Sequence, residues 1–322
     1  MSDEANLSTR SGATDAGGYR SRLAAFLDSD LLHSFLGSRL VVAAAVMSLL
    51  MVGAALLAPL IAPHDPYDLK SLSLLESDMP PAWEQGGDRR FLLGTDDQGR
   101  DILSTILYGT RSSIVIGICS VLLAIATGLS LGLWAGYAGG RVDGAIMRIA
   151  DVQLTFPAIL TALLIDGIAL AIAKNHTMEG GKFLILVISI GLSFWVQYAR
   201  TVRSVTLVER NKEYVEAARL IGIGPVKIMF QHILPNVLGP VLVIATINLA
   251  LAIITEATLS FLGVGLPPTE PSLGTMIQIG NKYLFSGSWW MVAFPGMTLA
   301  MLALAVNLLG DWLRDALNPK LR

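Results

Sequence analysis

The chain has 322 residues, of which 53% are hydrophobic and 15% charged, with a net charge of -2 and a mean hydropathy of +0.60. An ordinary soluble domain is about 25% charged, so the composition points to lipid as the solvent and the near-neutral balance implies no nucleic-acid partner. The single cysteine, Cys119, excludes an internal disulfide and says nothing about redox compartment.

Met1 to about Gly18 is small and polar and reads as disordered. Leu23, Phe26, Leu27, Leu31 and Phe35 then recur at roughly helical spacing. This fits an interfacial helix on the inner leaflet or a plain extension of the first span. Residues 1–38 thus form an N-terminal tail, too long for a signal-peptide n-region, and the first apolar run reads as an uncleaved span.

Six runs reach the ~20 apolar residues that a spanning helix needs: about Leu40–Ile61, Ser113–Ala138, Ile146–Ala173, Phe183–Ala199, Asn236–Leu262 and Trp290–Leu309. None alternates polar with apolar residues, as the strands of a membrane barrel do. The fold class is therefore all-α, a polytopic membrane protein with six transmembrane helices. Residues 39–112 hold the first span and an outer loop, and 113–322 hold the transmembrane core. In that loop, "GTDDQGRD" (Gly94–Asp101) reads as a turn with Asp96 or Asp97 capping a helix. The third run carries Arg148 and Asp151 at its edge and Asp166 inside. Pro295–Gly296 is expected to bend the sixth.

With both termini inside, 15 of the 23 Lys and Arg fall in inner segments and 8 in outer ones, the direction that the positive-inside rule requires. Six of the 15 lie in the interruption Arg200–His232 between the fourth and fifth spans. Its nine charged residues would each cost about 2.5–3.5 kcal/mol at a helix centre in lipid, so this segment stands in water. Tyr214, Ala217, Ala218 and Ile221 recur at i, i+3, i+4 and i+7, one helical face. Gly222 can end that helix in a left-handed cap, Pro225 suits the first turn of a second, and Pro235 marks re-entry into the membrane. The pattern is helix, break, helix, with an apolar and a charged stripe; it fits a knob that docks into a protein, or an amphipathic helix on lipid.

The order "EAARLIG" followed by "ILP" resembles the EAA loop of permease subunits of binding-protein-dependent ABC importers. Glu216, Ala217, Ala218, Gly222, Leu234 and Pro235 match that pattern. His232 stands where the family has isoleucine, with Ile233 next. "LLGTDDQGRDILSTILYGTRSSI" (Leu92–Ile114), "DVQLTFPAIL" (Asp151–Leu160), "EATLSFLGVGLPPTEPSLGTMI" (Glu256–Ile277) and "NLLGDWLRDALNPKLR" (Asn307–Arg322) resemble the C-type subunit of the dipeptide/oligopeptide/nickel branch. The outer turn Asp166–Phe183 is longer than the family's usual one.

The resemblance implies half of a translocation pathway, shared with a second homologous permease and driven by two ATPase subunits. A substrate-binding protein delivers solute outside. It implies a bacterial inner membrane with both termini cytoplasmic, and a cytoplasmic EAA loop at about 207–235 that docks on the ATPase through Tyr214, Glu216, Ala217, Ala218, Gly222, Leu234 and Pro235. ATP and Mg belong to the partners: the chain has no G-x-x-x-x-G-K-[ST] loop. It shows no catalytic constellation, and its four histidines lack metal-ligand spacing. Asp166, Glu256 and Asn307, polar residues inside or near the ends of apolar runs, are read as structural or pathway residues. Glu216 either meets a groove cation or pairs with Arg219 at i+3. The expected function is permeation of di- and oligopeptides. Import of another solute such as nickel, and a secondary transporter with broken helices and ion ligands, are the alternatives.

Overall fold

The computed structural model describes residues 35–68, 73–173 and 181–316. The N-terminal stretch up to residue 34, residues 174–180 and the C-terminal tail from 317 lie outside the described residues; of the outer turn expected over Asp166–Phe183, the described parts, 166–173 and 181–183, are helical. Among those described there is no strand, only an isolated bridge between Thr95 and Asp101.

Eleven helices are numbered here in chain order: α1 (Arg39–Leu56), α2 (Ala58–Ile61), α3 (Ile102–Ala138), α4 (Gly140–Leu154), α5 (Ala158–Ala173), α6 (Gly181–Glu209), α7 (Glu213–Leu220), α8 (Pro225–Ile228), α9 (Leu234–Phe261), α10 (Leu273–Tyr283) and α11 (Trp290–Ala316). A π turn, Met229–Ile233, joins α8 to α9. Among the described residues five helices are long and apolar enough to cross a membrane: α1, α3, α6, the continuous Pro225–Phe261 and α11; α4 with α5 makes the sixth when that pair is counted as one span. α11 runs unbroken through Pro295.

The third apolar run, expected as one span over Ile146–Ala173, is instead two helices that meet at 101°. The break falls at Thr155–Pro157. Proline disfavours helical backbone in the residue before it and has no N–H to donate, so α4 stops and α5 starts afresh. α4 carries charges that a straight span would have put into lipid. The bend lets Asp143 take a bidentate pair from Arg203, and Asp151 pair with Arg200. Those partners explain why α6 runs ten residues past the apolar stretch that ended at Ala199.

α3 starts eleven residues before Ser113, so the expected boundary between outer loop and core falls inside a helix. Its cap is Asp101, whose carboxylate accepts from the Ser104 N–H at 2.9 Å. Asp96 and Asp97, the expected caps, sit too early. Asp96 instead accepts from the backbone of Gln98 and Arg100 and from the buried Arg100 guanidinium at 2.6 Å. Arg100 reaches on to the Pro268 carbonyl at 2.6 Å, pinning the outer loop to the chain before α10.

α3 and α6 form the most extensive helix pair, and glycine makes that closeness geometrically available. Gly128, Gly132 and Gly136 repeat at every fourth residue on α3. A Cβ on them would lie 2.5 Å from Tyr198 Cβ, 2.6 Å from the Ala199 carbonyl and 2.7 Å from Thr206 Cβ respectively. Small residues at this spacing let two backbones approach in lipid, where dispersion rather than water exclusion drives helix pairing. The main core fills the space between α3, α6 and α9, and a second gathers Ile102, Leu273, Met276, Trp290 and Leu302 at the opposite end from α7.

Candidate functional site

Glu213–Leu220 turns helical as the spacing predicts, and ends as glycine placement predicts. Gly222 has φ +81°, the Gly222 N–H donates to the Arg219 carbonyl at 3.0 Å and the Ile223 N–H to the Ala218 carbonyl at 3.0 Å. That pair of bonds is a Schellman cap. Pro225 then opens α8 at a position where no N–H is needed. Pro235 does not break the chain at re-entry. The π turn just before it absorbs the missing donor, so one helix runs from the elbow into the span.

The apolar stripe read from the sequence divides. Ala218, with Val215, is buried in the main core beside Ile228, Ile233 and Val237. Tyr214 is only part-exposed, its hydroxyl turned inward, whereas Ala217 and Ile221, with Leu220 (89% exposed), Val226 and Phe230, present apolar side chains outward. Leu234 is half-buried and Pro235 exposed. Helix rotation explains the division: a face anchored by Val215 and Ala218 leaves Ala217, Leu220 and Ile221 on the far side. Glu216 is exposed, and Arg219 does not pair with it. The Arg219 guanidinium lies 5.3 Å from the centre of the Tyr137 ring at the end of α3.

What holds the elbow was not legible in the pattern. Glu209, 6% exposed at the last position of α6, accepts from Lys212 Nζ at 2.6 Å, from the Tyr214 hydroxyl and from Asn236 Nδ2 at 3.3 Å. Asn236 also donates to Tyr214 Oη at 3.0 Å and to the His232 carbonyl at 3.2 Å. Arg210 donates to the Gly136 carbonyl at 2.8 Å. One carboxylate therefore ties together the end of α6, the elbow helix and the start of α9. Burial first, and then the Glu209 carboxylate, push the Tyr214 phenol up to about 12. A signal existed in the sequence: Glu209, Tyr214 and Asn236 are polar residues bracketing the elbow, but only the fold brings the three together.

Hydrogen bonds to a charged group are worth about 1.5–3 kcal/mol. Glu209→Gln is therefore expected to loosen the elbow alone. Amide hydrogen exchange over 213–223 should rise roughly ten- to hundredfold while that of α3 and α9 stays unchanged. Equal exchange in the two proteins would show that the carboxylate does not hold the elbow.

The remaining sequence-selected residues lie apart from it. Asp166 is buried on α5, and one of its carboxylate oxygens has no hydrogen-bond partner among the described residues. Asn307 is half-buried on α11. Glu256 is fully buried near the far end of α9, hydrogen-bonded to Ser113 and Ser260. Among the described residues no group of three His, Cys, Asp or Glu is arranged to hold a metal.

Long apolar helices, two of them joined by an internally braced, charged elbow, define a multi-pass membrane protein. A family model described as the binding-protein-dependent transport system inner membrane component matches residues 128–322, and one described as the N-terminal TM domain of oligopeptide transport permease C matches 29–81. The chain is 41% identical over 274 residues to the di/tripeptide transport system permease protein DppC of Pseudomonas aeruginosa, covering 85% of this chain and 86% of that protein. It is 43% identical over 268 residues to the dipeptide transport system permease protein DppC of Haemophilus influenzae, covering 83% and 86%. A chain of the MetNI methionine ABC transporter, in an inward-facing conformation, shares the fold with a TM-score of 0.52 at 18% identity, over 66% of this chain and 96% of that one. The chain belongs to the family of binding-protein-dependent transport system inner membrane components, a family of transport permeases rather than enzymes.

Proposed function

We propose that this chain is the membrane-spanning permease subunit of an ATP-driven importer of di- and oligopeptides. It forms half of the pathway beside a second, homologous permease. Two ATPase subunits, which carry the ATP and Mg, grip the elbow at about 207–235. A binding protein presents peptide at the other face. In this reading the elbow is cytoplasmic, both termini lie inside, and the membrane is the bacterial inner membrane. The first span and outer loop run from residue 39 to the start of α3 at Ile102, the working core follows from there, and residues 1–38 form a cytoplasmic tail.

The observation that carries the coupling is the elbow's construction. Its inner face is sunk into the main core through Val215 and Ala218, and its outer face offers Ala217, Leu220, Ile221 and Glu216 to whatever lies in the water beyond. A handle anchored this way moves with α6 and α9 when it is pushed. The peptide assignment draws on the printed names of the two DppC relatives at 41% and 43% identity.

The test is uptake of labelled di-, tri- and longer peptides by the complete transporter in proteoliposomes. Uptake should require ATP and binding protein, and should exceed the ATP-free control at least tenfold for one peptide length. Uptake of nickel but not peptides, or uptake driven by an ion gradient without ATP, would overturn the assignment.

A further inference from the structure

We propose that Glu256 is the joint that carries movement of the elbow to the opposite face of the bundle; this rests on the coupling reading above. The helix from Pro225 to Phe261 is continuous over 37 residues, a rod of about 55 Å. One end begins in the elbow. The other passes under α10, the helix that lies between the last two spans at the outer-loop end.

At that far end the carboxylate takes donors from two helices, α9 and α3, and through them reaches a third, α10. Ser260, one turn on, donates to Oε1 at 2.7 Å. Ser113 of α3 donates to Oε2 at 2.7 Å and itself accepts from the Leu273 N–H of α10 at 3.3 Å. Ser272, the cap of α10, accepts from the Thr275 N–H at 3.2 Å and donates to Ser260 Oγ at 3.3 Å. The first turn of α10 thus hangs on Glu256 through two serines. Gly274 closes the gap: a Cβ there would lie 2.5 Å from the Ala257 carbonyl of α9. Gly280 does the same against α11, where a Cβ would lie 2.5 Å from the Met291 carbonyl.

Packing alone does not call for this arrangement. No Lys, Arg or His pairs with Glu256 among the described residues, and a buried carboxylate is expensive where an apolar residue of similar volume fills the same space. What the carboxylate adds is direction. Its two oxygens fix the hydroxyls of Ser113 on α3 and Ser260 on α9, and those hydroxyls in turn hold Leu273 and Ser272 at the start of α10, so the register of α10 over α9 is set through the carboxylate. Glu256 is accordingly a positioning residue: it acts on the outer helix and not on solute.

The test uses the complete transporter in proteoliposomes, in a Cys119→Ser background. A thiol is placed either at the exposed Lys282→Cys on α10 or at the exposed Lys227→Cys in the elbow. In the parent, trapping ATP should change the labelling rate at both thiols at least threefold. With Glu256→Leu, the Lys227→Cys response should persist, the Lys282→Cys response should vanish, and peptide uptake should fall at least tenfold at unchanged melting temperature. Should Glu256→Leu not fold, Ser113→Ala, which removes one of the two donors, should lower uptake at least threefold. Parent-like responses at both thiols with uptake within twofold, in either variant, would overturn the joint. Absence of a Lys227→Cys response in the parent would overturn the coupling reading itself, and the joint with it.

Discussion

Gly132→Ala is expected to cost this protein several kcal/mol and to leave little of it folded in the membrane. The added Cβ would sit 2.6 Å from the Ala199 carbonyl and 2.7 Å from Val202 Cβ. The first of these is backbone and cannot rotate away, so α3 and α6 must part. Overpacking of a close interface costs about 1–3 kcal/mol where side chains can yield, and more where they cannot. The glycines at 128 and 136 touch the same helix, so the separation also loosens their contacts. A matched control is available in Gly144→Ala. It lies within α4 with nothing within 4 Å of the new Cβ, so alanine there should be neutral or stabilising by up to about 1 kcal/mol. Thermal unfolding of the detergent-solubilised protein should separate the two variants clearly. A Gly132→Ala protein that melts with the parent would mean that α3 and α6 do not approach as closely as described.

This interface shows where the sequence was readable and where it was not. Runs of apolar residues announced the spans because lipid demands continuous hydrophobic helix, and Gly222 and Pro225 announced the elbow because few other residues suit a left-handed cap or a first turn. The three glycines at 128, 132 and 136 were equally visible, yet spacing alone does not say which neighbour they meet. Apolar content also hid the bend at Pro157: the run is continuous enough to read as one span, and the proline fixes where the helix breaks while the ion pairs of Asp143 and Asp151 with α6 hold the turned-out half in place. Asp101 outcompeted Asp96 and Asp97 as a cap because Asp96 was already committed to Arg100, a contact fixed by the turn as a whole. Glu209 and Asn236 lie 27 residues apart, and no local rule joins them. Residues whose job is set by backbone geometry were legible, and those whose job is to meet a distant partner were not.

At the elbow, Gly222→Asp and Glu216→Lys should each abolish peptide uptake while insertion, span packing and yield stay at the parent level. The structure makes both variants unusually clean. A Cβ on Gly222 meets nothing within 4 Å, so the internal cost is conformational only, about 1–2 kcal/mol for a side chain at φ +81°. Aspartate tolerates that region better than most residues. Gly222→Ala therefore bears at least the same backbone penalty without the charge, and should keep much of the transport. A tenfold or greater gap in uptake between alanine and aspartate would locate the damage in what the elbow meets, since the fold sees the two alike. Glu216→Lys argues from the other side. Its carboxylate is exposed, and Arg219 is occupied by the Tyr137 ring, so reversing the charge breaks no ion pair within the described residues. Exposed surface changes of this kind usually shift stability by less than about 0.5 kcal/mol, whereas under the proposed docking the reversed charge would oppose the groove cation that Glu216 is read to meet, a like-charge contact that costs several. Uptake measured beside co-purification of the ATPase decides the matter. Loss of both, with intact span packing, is the expected result, and normal uptake by either variant would remove the elbow from the coupling path.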